Sequence, residues 1–176
     1  MKINKLIIAV AIVMSPFVTF AQSQFDKFED IDGVTSVIVN QKAFELMGKI
    51  GVDSDEEYLD LIKNISTLKV FATEKPDVAK QMEAEANSFL KKANLEELMR
   101  VKDGDSNVKI YIKEGKNSDY VQELFMFVKD EGERTGDNQT VIISLTGNID
   151  LKQISKLTEK MDLPGGEHLD KANNKN

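Results

Sequence analysis

Val108-Lys109-Ile110-Tyr111-Ile112-Lys113 changes character at every step, with Val108, Ile110 and Ile112 on one side and Lys109, Tyr111 and Lys113 on the other. A period of two is that of a β-strand, and this alternation predicts a sheet with one buried face and one wetter face. The same signal recurs on either side. Leu95 to Lys102, Asn107 to Lys113, Tyr120 to Lys129 and Thr140 to Leu145 are four successive strand candidates. Turn-rich connections separate them: Asp103-Gly104-Asp105, Glu114-Gly115-Lys116-Asn117 and Gly132 to Asn138. In the last strand Val141, Ile143 and Leu145 share a face. Tyr120, Leu124, Phe125, Met126 and Phe127 make the third strand apolar on both sides, which predicts a central position covered on each face. Its functional alternative is an exposed face that meets a partner.

Upstream the period shifts. Gln22 to Asp32 is a polar lead, and Val34-Thr35-Ser36-Val37-Ile38-Val39 is rich in β-branched residues and reads as a strand. Ala43, Phe44, Met47 and Ile50 repeat at helical spacing, with Gly48 and Gly51 marking the exit. Asp53-Ser54-Asp55-Glu56-Glu57 suits the start of a second helix, where acids favour the positive end of the dipole. Tyr58, Leu61, Ile62 and Ile65 supply its apolar stripe, and Leu68 to Thr73 is another strand. Pro76 fits a first helical turn, and Val78, Met82, Ala86, Phe89 and Ala93 run down one side of the helix it opens. After Leu145, Thr146-Gly147-Asn148-Ile149-Asp150 reads as a turn into a final helix. Asp150 and Gln153 would form its capping box, with Leu151, Ile154, Leu157 and Met161 facing the core. The order predicts a single α+β domain over residues 22–163, a mainly antiparallel sheet with helices packed on one face.

The ends read differently. Residues 1–21 have a basic start (Lys2, Lys5), an apolar run from Leu6 to Met14 broken by Ser15-Pro16, and small residues at Thr19 and Ala21. That is a signal-peptide pattern with cleavage after Ala21, too short and too interrupted for a spanning helix. The expected product is a soluble periplasmic or extracellular protein without stable membrane insertion. Pro164-Gly165-Gly166 would end the domain, leaving residues 164–176 as a disordered polar tail.

Composition removes several functions. Cysteine is absent, which excludes disulfides, thiolate catalysis, a thiolate zinc site and a lipid anchor on cysteine. The formal net charge is −7. The first 21 residues hold two lysines and no acids, so their removal leaves 21 basic against 30 acidic residues, a net of −9. Such a surface repels nucleic acid, which is not an expected partner.

Site patterns are few. Asp103, Asp105, Asn107 and Glu114 stand at the first, third, fifth and twelfth positions of a calcium loop. Val108 occupies the place of the required glycine, and the following strand pattern would straighten the backbone, so a hairpin turn is expected instead. His168 is the one histidine and lies beside Glu167 in the tail, with no second histidine to complete a metal site. No nucleophile–base pair can be assembled, and no catalytic, cofactor or metal residue is assigned. A two-carboxylate hydrolase acting on a glycan or peptide stays open, since 30 acids offer many pairs and mark none.

Phe25 and Phe28, the Val34–Val39 strand leading into Lys42-Ala43-Phe44, the Leu68-Lys69-Val70 strand and the closing Leu145-Thr146-Gly147-Asn148-Ile149-Asp150-Leu151 together resemble the DUF 4252 family. The resemblance would span Phe25 to Met161 and implies an exported protein or lipoprotein of Bacteroidota-type bacteria. Many of its members carry a lipid-attachment cysteine; this sequence has none. It implies no catalytic residues. The leading expectation is a non-enzymatic envelope module that binds a protein or surface component through a sheet face or edge. The alternatives are the carboxylate hydrolase and an accessory part of an envelope stress-sensing system.

Overall fold

Pro76 opens the longest of the described helices at its first turn, where a missing N–H costs nothing. In the computed structural model, which describes residues 24–50, 56–117, 119–130 and 138–150, this helix runs Pro76–Lys92. Val78, Met82, Ala86 and Phe89 are all buried along it, as their spacing predicts. Counting from the N-terminus, the elements are β1 (Val34–Asn40), α1 (Gln41–Ile50), α2 (Glu56–Asn64), β2 (Ile65–Thr73) and α3 (Pro76–Lys92). They continue with β3 (Glu96–Asp103), β4 (Ser106–Glu114), β5 (Tyr120–Asp130) and β6 (Gln139–Asp150), and a short 3-10 turn at Asp26–Phe28 precedes them all.

The strands form one six-stranded antiparallel sheet in the order β1-β2-β6-β5-β4-β3. The described residues form a single α+β domain. β5 lies in the interior of the sheet, between β6 and β4, and Phe125, Met126 and Phe127 are buried on it. An apolar face of β5 left open for a partner is therefore ruled out.

The helices do not share one face, and this corrects the expected layout. Phe44, Leu61 and Ile62 of α1 and α2 join Leu68, Val70, Met126, Ile143 and Leu145 in one core. Val78, Met82, Ala86 and Phe89 of α3 join Phe71, Phe125, Phe127 and Ile142 in a second core, on the opposite side of the sheet. Lys109, Tyr111 and Lys113 suggested a wet second face. They sit on β4, next to the edge, whereas β2, β6 and β5 fill the centre of that face with apolar side chains.

The polar lead is also part of the second core. Phe25 and Phe28 are fully buried there. Phe25 stacks on Phe125 at 5.6 Å between ring centroids and meets Phe89 edge-on at 5.3 Å. Polar contacts frame these rings. Asp26 pairs with the nearly buried Lys69 of β2, Lys27 pairs with Glu85 of α3, and Gln24 donates to a Glu85 carboxylate oxygen at 2.6 Å. Those contacts hold Glu85 below the usual carboxylate range, the Lys27 hydrogen bond foremost.

Two further expectations shift. Gly48 lies within α1 instead of ending it. The Thr146–Asp150 stretch is no turn: β6 continues through it, pairing Ile149 with Val121 and Asp150 with Tyr120. The expected final helix from Leu151, the signal segment 1–21 and the tail 164–176 lie outside the described residues.

Candidate functional site

Asp103 pairs with Ser106 across a two-residue turn in which Gly104 has φ +58°. Asn107 and Glu114 sit seven residues apart along the extended strand β4, roughly 23 Å at 3.3 Å per residue. A calcium loop cannot close around that geometry. Asp53-Ser54-Asp55 and His168 lie outside the described residues, and Glu56 is exposed at the start of α2. Among the described residues no group of three or more His, Asp or Glu side chains is placed to hold a metal ion.

The register assembles a different feature that no local pattern announces. Asn40 of β1 pairs with Thr67 of β2, Thr67 with Thr146 of β6, Thr146 with Glu123 of β5, and Glu123 with Lys113 of β4. Residues directly opposite in an antiparallel pair share a face, so these five polar side chains form one row across the sheet. Beside it the ladder shifts register three times, at Ile65/Thr67, Val121/Glu123 and Lys113/Glu114. Bulges of this kind re-aim side chains and gather near binding sites. A groove of about 800 Å³ opens here, with Asn40, Lys42, Glu45, Thr67 and Thr146 among its lining residues.

The groove presents hydroxyls, amides and one ion pair, Lys42 with Glu45 at 2.9 Å. That hydrogen bond holds the exposed Glu45 carboxyl below its usual range. Among the described residues Glu45 is the single carboxylate lining the groove. Glu123, next in the row, is not on the lining and keeps one carboxylate oxygen buried without a hydrogen-bond partner. The arrangement can hydrogen-bond a polar group; among the described residues it does not bring two acids together across the groove.

Residues 28–157 match the family described as domain of unknown function DUF4252. This chain belongs to the DUF4252 family. The match begins at Phe28 and ends short of Met161, so it covers the described sheet and its three described helices but leaves out Phe25. No curated protein and no solved structure matches the chain at a significant level. DUF4252 membership therefore identifies the fold unit and supplies no chemistry for the polar row.

Glu123 still makes a testable statement about the fold. Burial pushes its carboxyl above the usual carboxylate range, and nearby Lys113 draws it only partly back. Because the fold favours the protonated acid, ionisation costs stability. That cost is absent below the unfolded value of about 4.3, where both states are protonated. It grows as pH rises from there through the raised folded value. Glu123→Gln is expected to stabilise the domain by on the order of 1 kcal/mol at neutral pH. Urea titrations should show the gain vanish at about pH 3; a gain independent of pH would contradict burial of the charge as its cause.

Proposed function

We propose that this DUF4252 chain is an exported, non-enzymatic binding module that takes up an extended protein segment along the outer edge of β1. The observation that carries this reading is the contrast between the two sheet edges. β3, at one edge, holds Glu96, Glu97, Arg100, Lys102 and Asp103 among eight residues, and its pairing shifts register between Glu97 and Met99. Charges and bulges are how native sheets discourage added strands. β1, at the other edge, reads Val34-Thr35-Ser36-Val37-Ile38-Val39-Asn40, with no charge, no proline and an unbroken register against β2. None of its seven residues is buried. A straight, uncharged, β-branched edge is the template that strand addition uses.

Export rests on the signal-peptide pattern of residues 1–21, and that compartment makes an envelope protein the natural class of partner. Among the described residues no helix is long and apolar enough to cross a membrane. The strongly negative net charge argues against nucleic acid.

The test is Ile38→Glu. Ile38 is 42% exposed and lies opposite Lys69 of β2, so a carboxylate there faces a cation and the fold should persist. Cross-linking in the cells that make the protein is expected to trap a partner at β1 with the unsubstituted chain and to lose it with Ile38→Glu. Circular dichroism should be unchanged between the two. Equal capture by both chains, or no capture by either, would overturn the reading.

A further inference from the structure

We infer that the strand added to β1 is β1 of a second copy, antiparallel about a two-fold axis at Ile38, which joins two six-stranded sheets into one. This rests on the edge-binding reading above and names its occupant. In a continuous sheet the paired residues must point to the same face, so a two-fold contact can be centred on a residue but not between two. Centring it on Ile38 sets Ile38 against Ile38 of the second copy, Val37 against Val39, and Ser36 against Asn40. Every apolar residue in the middle of the strand then meets an apolar one, and the two polar side chains meet each other. The strand is complementary to itself.

Charge points the same way. Two copies of a chain with net charge −7 repel over most of their surfaces, and β1 offers seven consecutive residues without a charge. Its flanks differ in sign. Glu29, Asp30 and Asp32 precede β1, whereas α1 after it carries Lys42, Glu45 and Lys49, a net of +1 with Lys42 and Glu45 paired to each other. Antiparallel pairing sets the acidic flank of one copy beside the lysine-bearing flank of the other. Parallel pairing would set acid beside acid.

Apolar exposure is concentrated in the same unit. Among the described residues four large hydrophobics are exposed: Ile38, Leu46, Ile50 and Leu98. Three of them fall in the consecutive β1–α1 segment, with Ile50 the most open at 75%. Leu98 is on β3, the edge that charges and a register shift already guard.

The absence of cysteine makes the register directly readable. In Ile38→Cys the two thiols would face each other across the axis, with Cα atoms about 4.5–5.5 Å apart, within the span a disulfide bridges. In Ser36→Cys the two positions would be offset by four residues along the strands, roughly 13 Å. Mild oxidation of the purified chain is expected to give a covalent dimer with Ile38→Cys and monomer with Ser36→Cys. Sedimentation should show the unsubstituted chain at twice the monomer mass and Ile38→Glu at the monomer mass. A dimer that Ile38→Glu leaves intact would overturn the inference, as would cross-linking of Ser36→Cys in preference to Ile38→Cys. An unsubstituted chain that stays monomeric, yet loses a different partner with Ile38→Glu, would overturn the second copy and leave edge binding standing. Loss of neither mass nor partner would remove both.

Discussion

Phe125→Ala is expected to destabilise the domain by about 3–5 kcal/mol, the range for truncating a fully buried aromatic side chain. Phe125 has no exposed surface, and its ring sits 4.9 Å from Phe89 and 5.6 Å from Phe25. Those two rings also touch each other, so three parts of the molecule meet at one point: the N-terminal 3-10 segment, α3 and the sheet. Removing the central ring leaves a cavity that the strand backbone cannot close, because β5 is paired on both sides. The ion pairs around it cannot compensate. Lys27 with Glu85 is partly exposed, and such pairs contribute roughly 0–1 kcal/mol. Against a total stability of about 5–15 kcal/mol the loss is a large fraction. A urea titration should show a lower midpoint. Limited proteolysis should cut first between Gln24 and Asp32, the segment whose aromatic anchor has been loosened. If that segment stayed protected while the midpoint fell, the three-way junction would not be what holds it.

How much of this is legible in the sequence depends on whether a feature is local. The α3 stripe was readable because Val78, Met82, Ala86 and Phe89 lie on one side of a single helix. The interior place of β5 was readable from apolar residues on both of its faces. Helix placement was not. Alternation shows that a strand has two faces and says nothing about which helix covers which, and β4 alone misrepresented the second face because it lies next to the edge. Phe25 and Phe28 were hidden by their neighbours, since Gln24, Asp26, Lys27 and Glu29 give that stretch a polar composition while a short 3-10 turn directs both rings inward. The polar row was invisible for a stronger reason. Its five members come from five strands spread from Asn40 to Thr146, and only the register sets them side by side. The bare edge of β1 lies between these cases. Its uncharged sequence could be read directly, but its position at the edge could not.

Gly147→Ala should have an effect of similar size to the Phe125 truncation, for a reason of backbone rather than burial. Thr146-Gly147-Asn148 resembles a turn because glycine and asparagine commonly end strands. In the fold Gly147 instead lets β6 run on while passing very close to the junction of α2 and β2. Its φ is +150°, a conformation that residues with a Cβ rarely adopt. A Cβ built there would lie 2.2 Å from the Asn64 carbonyl oxygen, 2.9 Å from the Ile65 Cα and 3.0 Å from the Ser66 nitrogen. All three are backbone atoms, so no side chain can swing aside. Relief requires parting β6 from β2 where their register already shifts, between Ile65 and Thr67. The expected cost is about 3 kcal/mol, combining local strain with lost ladder pairing. The disturbance should also be local. Gly147 and Thr146 both line the polar groove, so amide exchange should rise first in Ser66, Thr67 and Gln122, leaving the aromatic junction around Phe125 protected until global unfolding. Equal loosening at Phe125 would mean that the two faces of the sheet respond as one cooperative unit, and that the close approach at Gly147 has no separate role in shaping the groove.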